Sequence, residues 1–360
     1  MLRRILVPLD GSELAEAALP VAARLARSAG GTILLARVIR APAEYEANLA
    51  STDAWIPPAR PEERDEATAY LTRLAGWEVL AGIPTEIHIR PGPVAPLLLR
   101  LIRDEGVDFV VMTSHGRGGL SRWLMGSAAT AVARESTAPV LVARANPRFT
   151  DPLPAHGVSG TPFRAIVALD GSTLAETAIQ PAARLVVALS AAQPGTLCLL
   201  RVVDIAPFSA AAAYASGVPG GDDLVADART ALVREARDYL EVTAAHLRTQ
   251  PYAARLTIST SVVGSADVAG AIIRAAEGDA HENGAGERAD LIVLATHGHG
   301  GLRRLVAGSV AGELIGKART SLLVVRPTAV SANARADVAG TSRTFHTEAA
   351  EAPEASETSV

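Results

Sequence analysis

An internal duplication limits the folds open to this chain more than any other property. Ile5-Leu6-Val7-Pro8-Leu9-Asp10-Gly11-Ser12 returns as Ala165-Ile166-Val167-Ala168-Leu169-Asp170-Gly171-Ser172. Ala22-Ala23-Arg24-Leu25 matches Ala182-Ala183-Arg184-Leu185, and Leu35-Ala36-Arg37-Val38 matches Leu199-Leu200-Arg201-Val202. Val107-Asp108-Phe109-Val110-Val111-Met112 pairs with Ala289-Asp290-Leu291-Ile292-Val293-Leu294, and Pro139-Val140-Leu141-Val142-Ala143-Arg144 with Ser321-Leu322-Leu323-Val324-Val325-Arg326. Between the last two runs lies His115-Gly116-Arg117-Gly118-Gly119-Leu120, then Gly126-Ser127; its copy is His297-Gly298-His299-Gly300-Gly301-Leu302, then Gly308-Ser309. The unit is too long for a solenoid repeat, so the chain reads as a duplicated domain. At 360 residues, each copy is large enough to enclose its own core.

Within a copy, short β-branched runs alternate with longer helical patterns. In the first, strands are expected near residues 3–9, 32–38, 84–90, 108–113 and 139–144, and helices near 13–29, 62–81, 93–105 and 127–136. Ser12 as N-cap, Glu13 in the first turn and Gly30-Gly31 beyond the end frame the first helix. The last two strands are apolar nearly throughout, as strands covered on both faces must be. Alternation with right-handed crossovers predicts an α/β fold of two tandem, doubly wound, five-stranded parallel sheets. The expected division is a first domain over 1–145, a Pro- and Gly-rich linker over 146–162, a second domain over 163–327 and a disordered tail over 328–360. Residues 42–61 and 204–223 follow the second strand of each copy and read as surface loops, with a lid as the alternative.

Bulk properties exclude several classes. A net charge of −4 and a pI near 6.1 give no electrostatic footprint for nucleic acid. Cys198 is the one cysteine, so no disulfide can form within the chain, and its apolar run makes it a core residue rather than a nucleophile. The N-terminus runs straight into strand-like sequence without a signal peptide's apolar core, and no stretch suits a membrane span. A cytoplasmic protein is the expectation.

Ligands of doubly wound sheets bind beyond the carboxyl ends of the strands, where the strand order reverses. Asp10, Val38 and the loop from Thr113 fall at such ends. Gly116 and Gly118-Gly119 permit a backbone in which N–H groups converge on an anion, and Gly126-Ser127 opens a helix whose free amides can hold phosphate oxygens. Asp10 suits ribose hydroxyls, with turn formation or helix capping as its competing role, and Val38 could offer backbone groups to a base edge. His115, His297 and His299 lack the Cys or carboxylate partners of a metal site, so no metal ligand is assigned.

These residues resemble the ATP-binding branch of the universal stress protein family, whose signature is Gly, two residues, Gly, nine residues, Gly, then Ser or Thr. Gly116 with Gly126-Ser127 matches in the first half, and Gly298 with Gly308-Ser309 in the second; Asp10-Gly11-Ser12, Asp170-Gly171-Ser172 and the run Ala138 to Val142 also fit. The signature's first glycine is Thr113 in one half and Ala295 in the other. The resemblance implies an adenine nucleotide alpha hydrolase-like fold holding ATP, with Mg²⁺ as an optional companion. In the first half it implicates Pro8, Leu9, Asp10, Val38, Thr113, Gly116, Arg117, Gly118, Gly126, Ser127 and Ala128. In the second it implicates Ala168, Leu169, Asp170, Val202, Ala295, Gly298, His299, Gly300, Gly308, Ser309 and Val310. Pairing of the two domains through their last strands, inside one polypeptide, is a further implication; a homodimer is left open.

The implied function is ATP-dependent regulation in stress. One alternative is an enzyme that hydrolyses ATP or transfers a nucleotidyl group, but no Gly-x4-Gly-Lys-Ser/Thr loop or positioned lysine is present, so at most slow hydrolysis is expected. The other is a nucleotide-free interaction scaffold of the same fold. A phosphorylatable receiver domain would want a lysine after the last strand, where Arg144 and Arg326 stand instead.

Overall fold

The computed structural model describes residues 2–40, 59–113, 126–144, 162–190, 193–208, 221–279, 287–296 and 309–327. Each half contributes five strands. The first supplies β1 (Arg4–Leu9), β2 (Thr32–Ile39), β3 (Thr85–Pro91), β4 (Phe109–Thr113) and β5 (Val140–Ala143); the second supplies β6 (Arg164–Leu169), β7 (Gly195–Asp204), β8 (Leu256–Ser265), β9 (Leu291–Ala295) and β10 (Ser321–Val325). Both halves are doubly wound and parallel within themselves, as expected. They are joined more closely than two separate sheets, because all ten strands form one sheet in the order β3-β2-β1-β4-β5-β10-β9-β6-β7-β8.

The seam is the antiparallel pair β5–β10, in which Leu141 faces Leu323 and Val142 faces Leu322. Val140 and Leu322 are copies of one another, and the register places the local two-fold at Leu141 and Leu323. The two last strands do pair within one polypeptide. Both are buried at every position, so the seam is continuous core.

Prolines redraw the first helix of each half. Residues 13–29 form two pieces, α1 (Glu13–Glu16) and α2 (Leu19–Ala29). A continuous helix would need the N–H of residue 20 for the Glu16 carbonyl; Pro20 has none, and its ring would crowd that carbonyl. Pro181 stands one place further along the copy and withholds the amide that the Thr177 carbonyl would need, and the copy likewise divides into α6 (Thr173–Glu176) and α7 (Ile179–Leu189). The helix expected over 62–81 is α3 (Pro61–Ala75), which stops at Gly76 and leaves one 3₁₀ turn, Glu78–Leu80. Among the described residues the first half also has α4 (Val94–Asp104) and α5 (Ser127–Glu135). The second half has α8 (Gly221–Arg248), α9 (Val268–Glu277) and α10 (Ser309–Lys317) among its described residues.

Two apolar layers follow from strand alternation. Ile5, Val7 and Leu9 of β1 pack with Leu19, Leu25, Leu71 and Leu74 from α2 and α3, and the layer continues into the α7–α8 side of the second half. Leu6 and Leu34 face the other way, onto Leu98 and Ile102 of α4 and Val132 of α5, a layer shared with α9 and α10. Arg24 of α2 donates to the Leu189 carbonyl of α7 at 2.7 Å, tying the halves on the first face. Among the described residues no helix is long and apolar enough to cross a membrane. The linker, the tail and most of the two loops after β2 and β7 lie outside the described residues.

Candidate functional site

The strand order turns back between β1 and β4, so the ends of these two strands flank a crevice; β6 and β9 repeat the arrangement. Asp10 follows β1 directly, and Thr113, which is buried, ends β4. Leu9 pairs with Arg37 in register, which sets Val38 level with Asp10; Leu169 pairs with Arg201, which sets Val202 level with Asp170. Val38, Val202, Ala168 and Val310 pack partly buried against the α4–α5 and α9–α10 layer. Pro8 alternates with Leu9 onto that same face. Each crevice therefore has an apolar floor beside an acidic residue.

The Asp-Gly-Ser turns are identical in the two halves. Gly11 and Gly171 have φ of +86° and +88°, a left-handed backbone that favours glycine. Asp10 Oδ1 accepts hydrogen bonds from the Ser12 amide at 3.0 Å and the Ser12 hydroxyl at 2.6 Å, while Ser12 Oγ accepts from the Ala15 amide at 3.1 Å. Asp170, Ser172 and Ala175 repeat these bonds at 2.9, 2.6 and 3.1 Å. Of the competing roles for Asp10, turn formation is thus real, and the helix cap belongs to Ser12. The turn uses Asp10 Oδ1.

At the other lip, Gly126 is the N-cap of α5, and among the described residues no side chain caps that helix. Its carbonyl accepts from the Thr130 amide at 2.9 Å, so the helix starts at once, and Ser127 at its head is exposed while Ala128 is half-buried. Ser309 heads α10 in the same place, and Ala295 ends β9 as Thr113 ends β4. Gly116, Arg117, Gly118, Gly298, His299, Gly300 and Gly308 lie outside the described residues.

A feature that the sequence reading missed lies under each turn, on the α2–α3 face. The Arg37 guanidinium stacks on the Tyr70 ring of α3, 5.3 Å from its centroid, and Arg201 stacks on Tyr239 of α8 at the same distance. The Tyr239 hydroxyl donates to Glu176 Oε1 at 3.0 Å. Burial first, then the adjacent Glu16 or Glu176 carboxylate, pushes both phenols well above their ordinary pKa. In the first half Arg73 also lies over Tyr70 at 5.4 Å and pairs with Glu16 at 3.3 Å. The available signal was a short repeat in two otherwise dissimilar helices: Ala67-x-x-Tyr70-Leu71 and Ala236-x-x-Tyr239-Leu240.

At the opposite end of the first sheet half, Glu86, His88 and Glu105 bring possible ligand atoms within 4.8 Å of one another. Arg4 already binds both oxygens of Glu86 at 2.9 Å and reaches Glu105 at 3.4 Å. Those hydrogen bonds hold Glu86 below the ordinary carboxylate range, against the cost of burial. The register puts Ser259 and Ser261 at the matching places in β8. The cluster is an ion-pair network built on an arginine.

The universal stress protein family model matches this chain twice, over residues 1–144 and 163–326. Among curated relatives, universal stress protein YxiE of Bacillus subtilis (strain 168) is 27% identical over 148 residues, covering 40% of this chain and 100% of its own. A universal stress protein structure from Archaeoglobus fulgidus DSM 4304 is similar in fold, with a TM-score of 0.57 at 19% identity, covering 90% of this chain and 98% of that one. A universal stress protein structure in complex with cAMP matches 40% of this chain and 98% of its own at 22% identity, with a TM-score of 0.26. Matched in both halves, the chain belongs to the universal stress protein family as a tandem member.

Proposed function

We propose that each half binds ATP in the crevice between its first and fourth strands, and that the protein acts as a nucleotide-responsive regulator in stress. The observation that carries this reading is the pairing of a fixed Asp-Gly-Ser turn with a helix whose amino end carries no side-chain cap among the described residues, on the two lips of one strand-order reversal. Ribose hydroxyls suit the carboxylate, the base suits the floor of Pro8 and Val38 or Ala168 and Val202, and phosphate oxygens suit first-turn amides. The Gly-rich segments 114–125 and 297–308, which precede the same helices in sequence, lie outside the described residues. Mg²⁺ would travel with the phosphates, and the residues named here bind rather than transfer.

Calorimetric titration of ATP into the full chain tests this. Two sites are expected, falling to one in Gly126→Asp and in Gly308→Asp, because an added carboxylate repels the phosphates. Asp is itself a good N-cap, so the Gly126 variant keeps its helix. Unchanged stoichiometry in both variants overturns the site assignment, and no ATP binding by the unmodified chain overturns the function. Turnover of ATP far above background, abolished by Gly126→Asp, would favour an enzyme instead.

A further inference from the structure

We infer that Arg37 and Arg201 are positioning residues that hold the Asp10 and Asp170 carboxylates in place for sugar recognition; this rests on the nucleotide reading above. In the second half the geometry is direct. A Cβ added to Gly171 would lie 3.2 Å from the Arg201 Cζ and Nη1 and 3.3 Å from Nη2, so the planar guanidinium lies flat against the Asp-Gly-Ser turn. It also lies over the Tyr239 ring, 5.3 Å from its centroid. The cation thus lies against both ring and turn. In the first half Arg37 occupies the register position of Arg201, opposite the last residue of β1, and covers Tyr70 at the same distance.

Charge explains why a cation belongs there. Tyr70 lies within electrostatic reach of Glu16, Asp10 and Arg37, and Tyr239 within reach of Glu176 and Asp170. Two carboxylates thus approach each ring, one from the turn and one from the short helix after it. A guanidinium beside the same ring offsets their repulsion, and its planarity lets it stack on the ring and lie along the turn, which an ammonium could not do. Strand alternation turns both arginines to the face opposite Val38 and Val202, which pack on the other layer, so each acts through its aspartate. The duplication retains arginine, tyrosine, glutamate and aspartate together although α3 and α8 differ by nearly a factor of two in length.

The test compares ATP with 2′,3′-dideoxy-ATP, which lacks the hydroxyls that Asp10 and Asp170 would bind. In the double variant Arg37→Met/Arg201→Met, ATP affinity is expected to fall roughly 3- to 10-fold, the size of one weakened hydrogen bond, while dideoxy-ATP affinity stays within about twofold. An equal loss for both nucleotides, or no loss for either, overturns the positioning role and leaves the ATP reading standing. Failure of the unmodified chain to bind ATP overturns both. If the methionine variant does not fold, Arg37→Lys/Arg201→Lys keeps the charge without the plane, and the same selective loss is expected.

Discussion

Arg144 Nη2 donates to the Ile315 carbonyl across the seam between the two halves, at 2.9 Å. Its backbone amide also donates to Ser321 Oγ at 3.1 Å. The copied residue, Arg326, returns the contact from the other side, with Nη1 donating to the Glu135 carbonyl at 2.7 Å. Each arginine leaves its own last strand and closes the carboxyl end of the other half's last helix, where the helix dipole favours a cation. The seam is therefore held by two reciprocal caps as well as by β5–β10.

The two caps differ in environment, and that separates their energetics. Arg144 is 7% exposed, and burial lowers its pKa, whereas Arg326 is exposed. Arg144→Met should destabilise the chain by about 1–2 kcal/mol, since losing a charged hydrogen bond is partly offset by relieving a buried cation. Arg326→Met should cost less than about 1 kcal/mol because water replaces its bond. Urea unfolding of the two variants checks the order, and a larger cost at Arg326 contradicts it.

Ser12 and Ser172 stand at the meeting point of turn and helix. Each accepts an amide of the first helical turn and donates to an aspartate that the proposed site would use. Ser172→Ala should cost about 0.5–2 kcal/mol, the usual worth of such a cap. It should also weaken ATP binding at the second site, because Asp170 Oδ1 loses its 2.6 Å hydrogen bond from Ser172. Thermal melts with and without ATP separate the effects: the stabilisation conferred by ATP should shrink as well as the baseline.

Much of this architecture is legible in the sequence because its signals are local. β-branched runs place the ten strands, and the repeated Asp-Gly-Ser marks the turns. The helix breaks are equally local, since Pro20 and Pro181 lie in the first turns of α2 and α7 and Gly76 directly follows α3, although apolar periodicity runs through all three. Fusion into one sheet was legible only through family resemblance, because β5 and β10 carry no charge or turn that would mark them as an internal seam. The arginine–tyrosine clusters escaped because Arg37 reads as an exposed strand position until α3 brings Tyr70 over it. Register and crossover geometry create that contact, not neighbouring residues.

Two glycines with opposite surroundings give a stability contrast. Gly316 lies in the last turn of α10 with open space where a Cβ would point. Gly316→Ala should stabilise by about 0.5–1 kcal/mol through helix propensity and a stiffer unfolded chain. Gly195 begins β7, where a Cβ would run into Ser190 and Val186 of the α7 end. Gly195→Ala should cost about 1–3 kcal/mol as overpacking. Chemical denaturation reads both, and a gain at Gly195 would contradict the packing described.

Alkaline pH offers a direct check on the tyrosine clusters. Tyr70 and Tyr239 hold their protons more tightly in the folded chain than ordinary phenols do, because of burial and the nearby Glu16 and Glu176. Above about pH 10 the unfolded chain releases these protons while the folded chain keeps them, so unfolding becomes easier as pH rises. Their contribution is fully present below that pH and is lost progressively above it. Lys317, the only lysine, is also raised by its partner Glu313 and pulls in the same direction, but it is common to wild type and tyrosine variants. The urea midpoint should therefore fall between about pH 9.5 and 11 in the unmodified chain and fall less steeply in Tyr70→Phe/Tyr239→Phe. Parallel curves would mean that the two phenols titrate in the folded chain as they do in water, and that neither carboxylate reaches them.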